Sequence, residues 1–448
     1  MKKDTSTKIC QKIKNKITLD NVLTLYSLAK LYKLATVYEL FFKYIERCFQ
    51  IVVETQNFLH LDFNLVAKIL NSSELNIDSE VEIFNAVVTW LKHNTEERSK
   101  YAKHLLLKVR FTLLADPALR FISNFDSTFS KKEDFVKILK EVYTNRLNHK
   151  SSSCYTSRYC GQQMFNIILC GGFNVKRNNV VNTIIFRSDL NKTKVLSSMK
   201  FKRRSFQAVV LKGEIYFFGG FNNADKFIKL VEKYTPSTNN WSEVTNMLDC
   251  RLDICACAFI DKIYVFGGLL TSKTFFKNLT ATNSCLQFDT IEENWKTKAH
   301  MNKARVSAAC IAFQEKIVVS GGKSDYENAS NSVESYDVFA NRWTSMPNMI
   351  NNHTFHSLVV VADKLFVVGQ GTESCEVFDN VCKKFVVLNQ QPNINYNKSL
   401  SIGKKIVIFQ RERSSIVYYD VDKDEWFEES SEVTKNLIDF CYVKFPWY

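Results

Sequence analysis

The sequence of 448 residues lacks any uninterrupted apolar run of about 18 residues, so it predicts no membrane span. The lysines near its N-terminus are not followed by an apolar segment, which argues against a secretory signal. The thirteen cysteines are scattered and form no Cys-x-x-Cys pair, and such spacing suits neither a metal site nor a disulfide framework. We therefore expect a cytoplasmic protein with reduced thiols, no bound metal and no membrane partner.

The motifs of common enzyme classes are missing as well. The sequence contains no His-Glu-x-x-His zinc motif and no Gly-x-Ser-x-Gly nucleophile elbow. Gly322-Lys323-Ser324 resembles the end of a phosphate-binding loop, but the glycine that this motif requires five residues earlier is replaced by Ile317. We predict no catalytic residue, no cofactor and no small-molecule substrate, and we expect the protein to act by binding other proteins.

The balance of charges is strongly basic, with a formal net charge of +14 at pH 7. A charge of this sign favours acidic partners. The basic residues are spread over both halves of the chain without a dense arginine–aromatic tract, so direct nucleic-acid binding is not favoured. A protein target with an acidic segment is the predicted partner.

The chain changes character near residue 150. Before that point, apolar residues recur at three- and four-residue spacing, which predicts packed helices. One predicted apolar stripe consists of Leu25, Leu28, Leu31 and Tyr32, and a second of Val37, Leu40, Phe41, Tyr44 and Ile45. Ser79 and Glu82 fit a capping box at the start of a later helix. We predict a basic N-terminal arm at 1–16, a helical domain at 17–146 and a serine-rich linker at 147–163.

In the remaining segment, 164–448, the hydrophobic period falls to two and glycine doublets end apolar strands. The doublets are Gly171-Gly172, Gly219-Gly220, Gly267-Gly268 and Gly321-Gly322, and Gly369-Gln370 is a degenerate copy. Their leading glycines are 48, 48, 54 and 48 residues apart. An aromatic strand and then a tryptophan follow in several repeats, at Trp241, Trp295, Trp343 and Trp426, and Phe385 takes this place in the fifth unit.

Repeats of about 50 residues with four short strands are typical of a β-propeller, because a single small sheet buries both faces only when it packs radially against its neighbours. The predicted fold class is thus a multidomain α + all-β protein, in which a helical domain precedes a six-bladed propeller. The first blade lacks a strand, and residues 437–445 form a leftover strand at the C-terminus. We expect this strand to complete the first blade and close the ring.

These repeats resemble the Kelch family, since four of them carry the apolar strand, the glycine doublet, the aromatic strand and the tryptophan in order. The helical half resembles the BACK domain of Kelch-like proteins in the stretches TLYSLAKLYKL, NFLHLDFNLVAKIL, ELNIDSEVEIFNAVVTWL and LLLKVRFTLL. Together the two resemblances cover about residues 17–447. Kelch-like proteins normally begin with a BTB domain, whereas here the first BACK-like helix lies near residue 20.

The resemblance implies a substrate-recognition adaptor of a cullin-RING ubiquitin ligase. The helices near residues 20–50 resemble the part of BACK domains that adds to the cullin contact. No BTB domain precedes these helices in the sequence. Two interpretations therefore stay open: the sequence is truncated, or the protein is a natural competitor that does not engage cullin. The alternative is an actin-binding, cytoskeletal or scaffolding protein.

In Kelch-like proteins, targets usually dock on one rim of the propeller, which is built from the loops between blades and the loops after the glycine doublets. The residue sixteen positions before each leading glycine is Arg203, Arg251, Arg305 or His353, and Arg204 adjoins the first. A ring of guanidinium groups at this place would bind carboxylates bidentately. In the alternative interpretation, these side chains satisfy carbonyl groups between blades.

The loops after the doublets supply further candidate contacts. Phe275 and Phe276 lie in the longest of them, residues 269–283, and are predicted either to anchor an interface or to fold back onto the blade. The remaining candidate contacts are Lys176, Arg177, Tyr326, Arg411 and Arg413.

Overall fold

The chain divides into two compact units, one comprising Met1–Met164 with Pro446–Tyr448 and the other Phe165–Phe445. The computed structural model describes residues 19–77, 80–110, 165–170, 173–174, 179–180, 184–187, 193–222, 226–236, 238–270, 279–324, 328–361, 364–369, 374–388, 397–402, 404–410, 415–430, 437–438 and 441–446. The predicted arm 1–16, the predicted linker 147–163 and the part of the predicted helical domain after residue 110 lie outside these residues.

The described part of the first unit is helical. Its helices are α1 Leu19–Leu31, α2 Ala35–Arg47, α3 Phe49–Val52, α4 Gln56–Leu59, α5 Phe63–Asn71, α6 Glu80–His93, α7 Thr95–Arg98 and α8 Ala102–Leu106, with a 3-10 turn at Ser99–Tyr101 between the last two. α6 begins directly after Ser79, the predicted capping residue, which itself lies outside the described residues. None of the described helices is both long and apolar enough to cross a membrane.

Capping and one buried tryptophan hold the later helices of this unit in place. The carboxylate of Asp62 accepts a hydrogen bond from the backbone N–H of Leu65 at 3.0 Å and so caps the N-terminus of α5. In α6, the indole Nε1 of Trp90 donates to the carbonyl oxygen of Leu61 at 3.0 Å, which satisfies the one polar atom of a side chain that is otherwise in the core.

The apolar stripe predicted for α1 is wrong except at Leu25, which packs against the core, whereas that predicted for α2 matches the buried face. In α1 the buried residues are Val22, Leu23, Tyr26 and Ala29, while Leu28 is 44% exposed, Leu31 72% and Tyr32, which follows the helix, 70%. The helix ends at Leu31, and Lys33 then adopts a positive φ of 54°, which turns the chain into α2. Leu28, Leu31 and Tyr32 therefore lie in the last turn of α1 and directly after it.

The second unit consists of short strands. The first fifteen are β1 Phe165–Cys170, β2 Phe173–Asn174, β3 Asn179–Val180, β4 Ile184–Arg187, β5 Thr193–Val195, β6 Gln207–Leu211, β7 Glu214–Phe218, β8 Leu230–Thr235, β9 Asn240–Asn246, β10 Arg251–Leu252, β11 Cys255–Phe259, β12 Lys262–Phe266, β13 Leu269–Leu270, β14 Thr280–Ala281 and β15 Cys285–Asp289. The others are β16 Asn294–Lys298, β17 Ala309–Phe313, β18 Lys316–Ser320, β19 Val333–Asp337, β20 Arg342–Met346, β21 Ser357–Val361, β22 Lys364–Val368, β23 Glu376–Asp379, β24 Lys384–Val387, β25 Asn397–Ile402, β26 Lys405–Gln410, β27 Ser415–Asp420, β28 Glu425–Ser430, β29 Leu437–Ile438 and β30 Cys441–Pro446.

Six four-stranded antiparallel sheets form the blades of the predicted propeller. In the order of their hydrogen-bonded strands they are blade 1 (β30-β1-β4-β5), blade 2 (β6-β7-β8-β9), blade 3 (β11-β12-β15-β16), blade 4 (β17-β18-β19-β20), blade 5 (β21-β22-β23-β24) and blade 6 (β25-β26-β27-β28). The first strands of blades 2 to 6 contact each other in succession, as the inner strands of a propeller do.

The C-terminus closes the ring as the sequence predicts. β30 lies beside β1 and supplies the strand that blade 1 lacks, with Cys441 and Val443 buried. The single strand predicted at 437–445 is divided in two, because β29 pairs instead with β2 in a small three-stranded sheet. Closure by the last strand means that both ends of the repeat region contribute to one blade.

Aromatic pairs across the third and fourth strands fill the space between blades. The ring centroids of Tyr336 and Trp343 are 4.9 Å apart, and Nε1 of Trp343 donates to the carbonyl oxygen of Ala299 in the preceding loop at 2.7 Å. Phe385, predicted in the tryptophan position of blade 5, packs against Phe378 with the ring centroids 5.1 Å apart and the rings tilted by 55°. Trp343 therefore joins its own blade to the chain that enters it.

Candidate functional site

The loops between blades and the loops after the glycine doublets lie at the same end of the propeller. In blade 2, the last residue of β7, Phe218, pairs with the first residue of β6, Gln207, so Gly219 and Gly220 lie beside the segment that leads into the blade. Blades 3 and 4 repeat this register. We call this end of the propeller the loop face.

Four residues enter the blades at corresponding positions, and we call them the blade-start residues. They are Arg203, Arg251, Arg305 and His353, and their exposed fractions are 0%, 1%, 3% and 0%. The exposed cationic ring predicted at these positions is therefore wrong, because each side chain points into the protein rather than toward a partner. Their surroundings explain why.

Arg305 shows the arrangement in blade 4. Its Nη1 donates to the carbonyl oxygens of Gly321 at 2.6 Å and of Ser332 at 3.1 Å, and its Nε donates to the carboxylate of Glu334 at 3.0 Å. The other carboxylate oxygen of Glu334 accepts the backbone N–H of Asn302 at 2.8 Å. The guanidinium group thus satisfies carbonyls at the end of one strand and the start of the next, as the alternative interpretation of the sequence holds.

Blade 2 repeats this geometry. Nη1 of Arg203 donates to the carbonyl oxygens of Gly219 at 3.2 Å and Leu230 at 3.1 Å, and its Nη2 forms an ion pair with Glu232. Burial lowers the pKa of Arg203 from its ordinary value, and the charge and hydrogen bond of Glu232 oppose that change. Arginine remains charged in proteins, so this is a buried ion pair.

In blade 3 the blade-start arginine is also paired with a carboxylate, but the carboxylate comes from a different position in the chain. Leu286 occupies the position in the third strand that Glu334 has in blade 4, two residues before the core aromatic residue. The carboxylate partner of Arg251 comes instead from the loop, where Asp249 accepts hydrogen bonds from its Nε at 2.5 Å and its Nη2 at 2.6 Å. Nη1 of Arg251 still donates to the carbonyl oxygen of Gly267 at 3.2 Å.

Blade 5 has histidine in the arginine position. A ring nitrogen of His353 lies 3.1 Å from Glu376, and the carboxylate of Glu376 also accepts the backbone N–H groups of Ile350 and Asn351 at 2.8 Å each. Burial alone would raise the pKa of Glu376, but these hydrogen bonds hold it below its ordinary value. The carboxylate therefore fixes the loop backbone as well as the histidine.

A second histidine lies next to the first. Nε2 of His356 is 2.7 Å from Oγ of Ser320, and the two imidazole rings of His353 and His356 are 5.5 Å apart. Burial, and then the charges of His353 and Arg305, lower the pKa of His356 well below its ordinary value. His356 is thus held in its neutral form within the fold.

The glycine doublets leave room for the blade-start residues of the next blade. Gly267 has φ +60°, and a Cβ at this position would lie 2.2 Å from the carbonyl oxygen of Arg305. Gly219 and Gly321 meet the carbonyl oxygens of Arg251 and His353 in the same way. The doublet is therefore needed for close approach of backbone between blades.

Of the other predicted contacts, only Arg204 belongs to the described part of the chain. It is partly exposed, and its guanidinium carbon lies 4.4 Å from the centroid of the Phe221 ring. The remaining predicted contacts lie outside the described residues: Lys176, Arg177, Phe275, Phe276, Tyr326, Arg411 and Arg413. These seven stay predictions.

The residues that do face solvent here were missed by the sequence analysis. Four large apolar side chains of the loops between blades, which we call the exposed apolar residues, are Phe201 (39% exposed), Leu248 (50%), Ile350 (53%) and Phe355 (39%). A regular spacing could have revealed most of them, because a buried methionine precedes each blade-start residue by four positions, at Met199, Met247, Met301 and Met349. The three residues between these two anchors form the tip of each loop.

No group of three or more histidine, cysteine, aspartate or glutamate side chains among the described residues could hold a metal ion. The charged side chains that form the interior of the loop face all serve carbonyl groups or one another. What the face presents outward is a set of loop tips on a rigid frame. A propeller of this construction, accompanied by a helical domain, belongs to a class of proteins that bind other proteins.

Comparisons with known proteins agree with this class. Residues 22–124 match the family described as BTB And C-terminal Kelch, the BACK domain, and residues 156–371 match the KLHDC2/KLHL20/DRC7 Kelch-repeats domain. A BACK domain and Kelch repeats are therefore found in this chain, and its homologues are Kelch-like proteins.

Three relatives illustrate the similarity. Kelch-like protein 25 of Xenopus tropicalis is 22% identical over 415 residues, which cover 88% of this chain and 69% of the relative. Kelch-like protein 11 of Homo sapiens is 23% identical over 425 residues (89% and 57%), and Kelch-like protein 7 of Mus musculus is 26% identical over 405 residues (86% and 67%). The chain thus spans between 57% and 69% of the length of these relatives.

Proposed function

We propose that this protein recognises protein targets on the loop face of its propeller and acts as a substrate-recognition adaptor of a cullin-RING ubiquitin ligase. The observation that supports target recognition is the arrangement of the loops between blades, in which buried residues hold the loop and other residues face solvent. Buried anchors hold each loop at both ends, and the residues between them are exposed. Such loops can vary in sequence without loss of the fold, which is what a recognition surface requires.

The helical unit supports the second half of the proposal. Leu28, Leu31, Tyr32 and Leu34 are exposed at the C-terminal end of α1 and in the turn to α2. Exposed apolar side chains that cluster along a few residues of chain are a common feature of protein-binding sites. We propose that cullin binds here, within the region near residues 20–50 that resembles the cullin-contacting part of BACK domains.

The test uses the full chain with an epitope tag, expressed in cells, and quantitative mass spectrometry of co-purifying proteins. Leu31→Ser combined with Tyr32→Ser removes the proposed cullin contact without touching the core. Leu107→Ser is the matched control, because Leu107 is also an exposed leucine of the helical unit, at 59%. The proposal predicts that a cullin co-purifies with the wild type and the control and is lost from the double variant.

A second pair of variants tests target recognition. Leu248→Ser with Ile350→Ser alters the loop face, and Ile291→Ser alters an even more exposed side chain in a turn between strands at the opposite end. Loss of other partners from the double variant alone supports recognition on the loop face. If those partners persist, the loop face is not the binding surface. If partners depend on the loop face but no cullin is found, the protein is a scaffolding or cytoskeletal binder or a competitor.

A further inference from the structure

Phe355 adopts a backbone conformation that is rare for its residue type. Its φ is +52°, in the left-handed region, where a bulky residue is a conformational outlier. The residues at the same position of the other described loops also have positive φ, and they are the smaller Ser205, Asp253 and Ser307. The propeller therefore needs this conformation at each blade entry, but it does not need an aromatic side chain there. Strain kept at an exposed residue points to a role in binding.

The backbone around Phe355 joins neighbouring loops of the loop face. The N–H of Ser307 donates to the carbonyl oxygen of Asp253 at 2.9 Å, and the N–H of Phe355 donates to the carbonyl oxygen of Ser307 at 3.0 Å. The loops that enter blades 3, 4 and 5 are thus linked one to the next. Leu248 and Ile350 lie at the tips of the first and the last of these three loops.

Apolar side chains are exposed at the opposite end of the propeller too, but in a different setting. They are Ile291, Phe339 and Val381. Each follows by two residues an aspartate whose carboxylate accepts its backbone N–H, at 3.0, 3.1 and 2.7 Å respectively. These residues are therefore parts of regular turns, and a carboxylate lies beside every one of them.

The loop face carries exposed cations. Lys202 and Lys303 are exposed at the tips of the loops that enter blades 2 and 4, and within the described residues neither forms an ion pair. Arg204 is partly exposed beside Lys202. The carboxylate of Asp249 is already neutralised by Arg251. The exposed cations of Lys202 and Lys303, which lie between exposed apolar side chains, favour a partner that has both negative charge and apolar side chains.

We infer that the loop face binds an acidic segment of a protein whose apolar side chains contact Phe201, Leu248, Ile350 and Phe355 and whose carboxylates contact Lys202, Arg204 and Lys303. This inference rests on the proposed function and specifies the chemistry of the target. In this inference the positive charge comes from exposed cations of the loops and not from the buried arginines. Recognition is assigned to side chains that the ring does not need for stability.

The experiment selects from a library of random peptides displayed on phage against the purified full chain. Enriched peptides are then synthesised, and their affinities for the wild type and for three variants are measured by fluorescence anisotropy. Phe355→Asn relieves the backbone strain and removes the ring, because asparagine tolerates the left-handed region. Lys202→Glu with Lys303→Glu reverses the charge. Ile291→Ser is the control.

The expected peptides are rich in aspartate or glutamate together with leucine, isoleucine or phenylalanine. Their affinity falls at least tenfold for Phe355→Asn and for the charge-reversed variant and is unchanged for the control. A merely structural role of Phe355 predicts a lower Tm for Phe355→Asn, whereas the inference predicts a Tm that is equal or higher. The inference is overturned by basic or neutral peptides, by acidic peptides that bind all variants equally, or by a selection that enriches nothing.

Failure of the inference and failure of the proposed function are distinguishable. If partners in cells depend on Leu248 and Ile350 while the selected peptides are not acidic, the loop face binds targets of another chemistry. If no cellular partner depends on the loop face at all, the proposed function itself is refuted.

Discussion

The buried ion pair of blade 4 allows a quantitative test of how the ring is held together. In Glu334→Leu, the guanidinium group of Arg305 keeps its carbonyl acceptors but loses its carboxylate, and it is only 3% exposed, so water cannot replace the lost partner. Removing one member of a buried ion pair costs about 3–5 kcal/mol. The backbone N–H of Asn302 loses its acceptor as well, which places the expected cost in the upper part of this range.

Blade 3 contains the compensation that should rescue this variant. There a leucine, Leu286, already occupies the glutamate position, and Asp249, two residues before the blade-start arginine, supplies the carboxylate. The corresponding residue before Arg305 is Lys303. Glu334→Leu combined with Lys303→Asp therefore transfers the arrangement of blade 3 to blade 4, and we expect it to restore at least half of the lost stability.

Thermal unfolding followed by tryptophan fluorescence is the suitable assay, because four of the six tryptophans lie in strands of the propeller: Trp241, Trp295, Trp343 and Trp426. For a unit of this size a loss of 1 kcal/mol lowers Tm by roughly 2 °C, so Glu334→Leu should lower it by roughly 6–10 °C. Lys303→Asp alone is the control and should change Tm by less than roughly 2 °C. A change below roughly 2 °C for Glu334→Leu, or no recovery in the double variant, would refute this account of the blade-start arginines.

Three further predictions concern the ring. Gly267→Ala should destabilise the propeller by more than about 2 kcal/mol, because its Cβ would lie 2.2 Å from the carbonyl oxygen of Arg305 at a positive φ, and chemical denaturation measures the loss. Val443→Asp, in the closing strand at 7% exposure, should prevent cooperative unfolding of the ring, whereas Val381→Asp, at 90% exposure, should leave it unchanged by the same assay. The stability of the wild type should fall as pH drops below 6.5, because His356 is neutral when folded and gains a proton on unfolding. His356→Gln should flatten that dependence by up to about 1.4 kcal/mol per pH unit in denaturation at pH 7, 6 and 5.

The propeller could be predicted from the sequence because its constraints repeat. The glycine doublets of blades 2 to 4 mark places where backbone approaches backbone, and the aromatic residue and tryptophan that follow fill corresponding space in blades 2, 3, 4 and 6. The closing strand could be predicted by elimination, since blade 1 lacked a strand and the C-terminus had one left over. The repetition of one geometric requirement along the chain makes the pattern visible in a single sequence.

The orientation of individual side chains could not be predicted in the same way. A recurring arginine is compatible both with a surface ring and with an interior contact, and its carboxylate partner lies 29 residues further along the chain in blades 2 and 4. In blade 3 that partner is absent from the third strand and comes from the loop, at Asp249. Periodicity alone also misplaced the buried face of α1: Leu28 and Leu31 lie within the helix but are exposed, and the core face is formed instead by Val22, Leu23, Tyr26 and Ala29.

The contrast between buried and exposed cations changes how the net charge of the chain should be interpreted. The three arginines at the blade starts form ion pairs with carboxylates and donate hydrogen bonds to backbone carbonyls. They therefore contribute little to the electrostatic field outside the ring. The charge that a partner meets comes from loop tips such as those of Lys202 and Lys303, which lie between a buried methionine and a buried blade-start residue. The backbone N–H groups of Phe201, Asn302, Ile350 and Asn351 bind the buried carboxylates, so the specificity of these loops can change through their exposed side chains while the backbone contacts stay intact. Blade 3 differs from blades 2 and 4 in the source of its carboxylate. Its loop supplies a structural carboxylate, and it should therefore be the loop that tolerates substitution least.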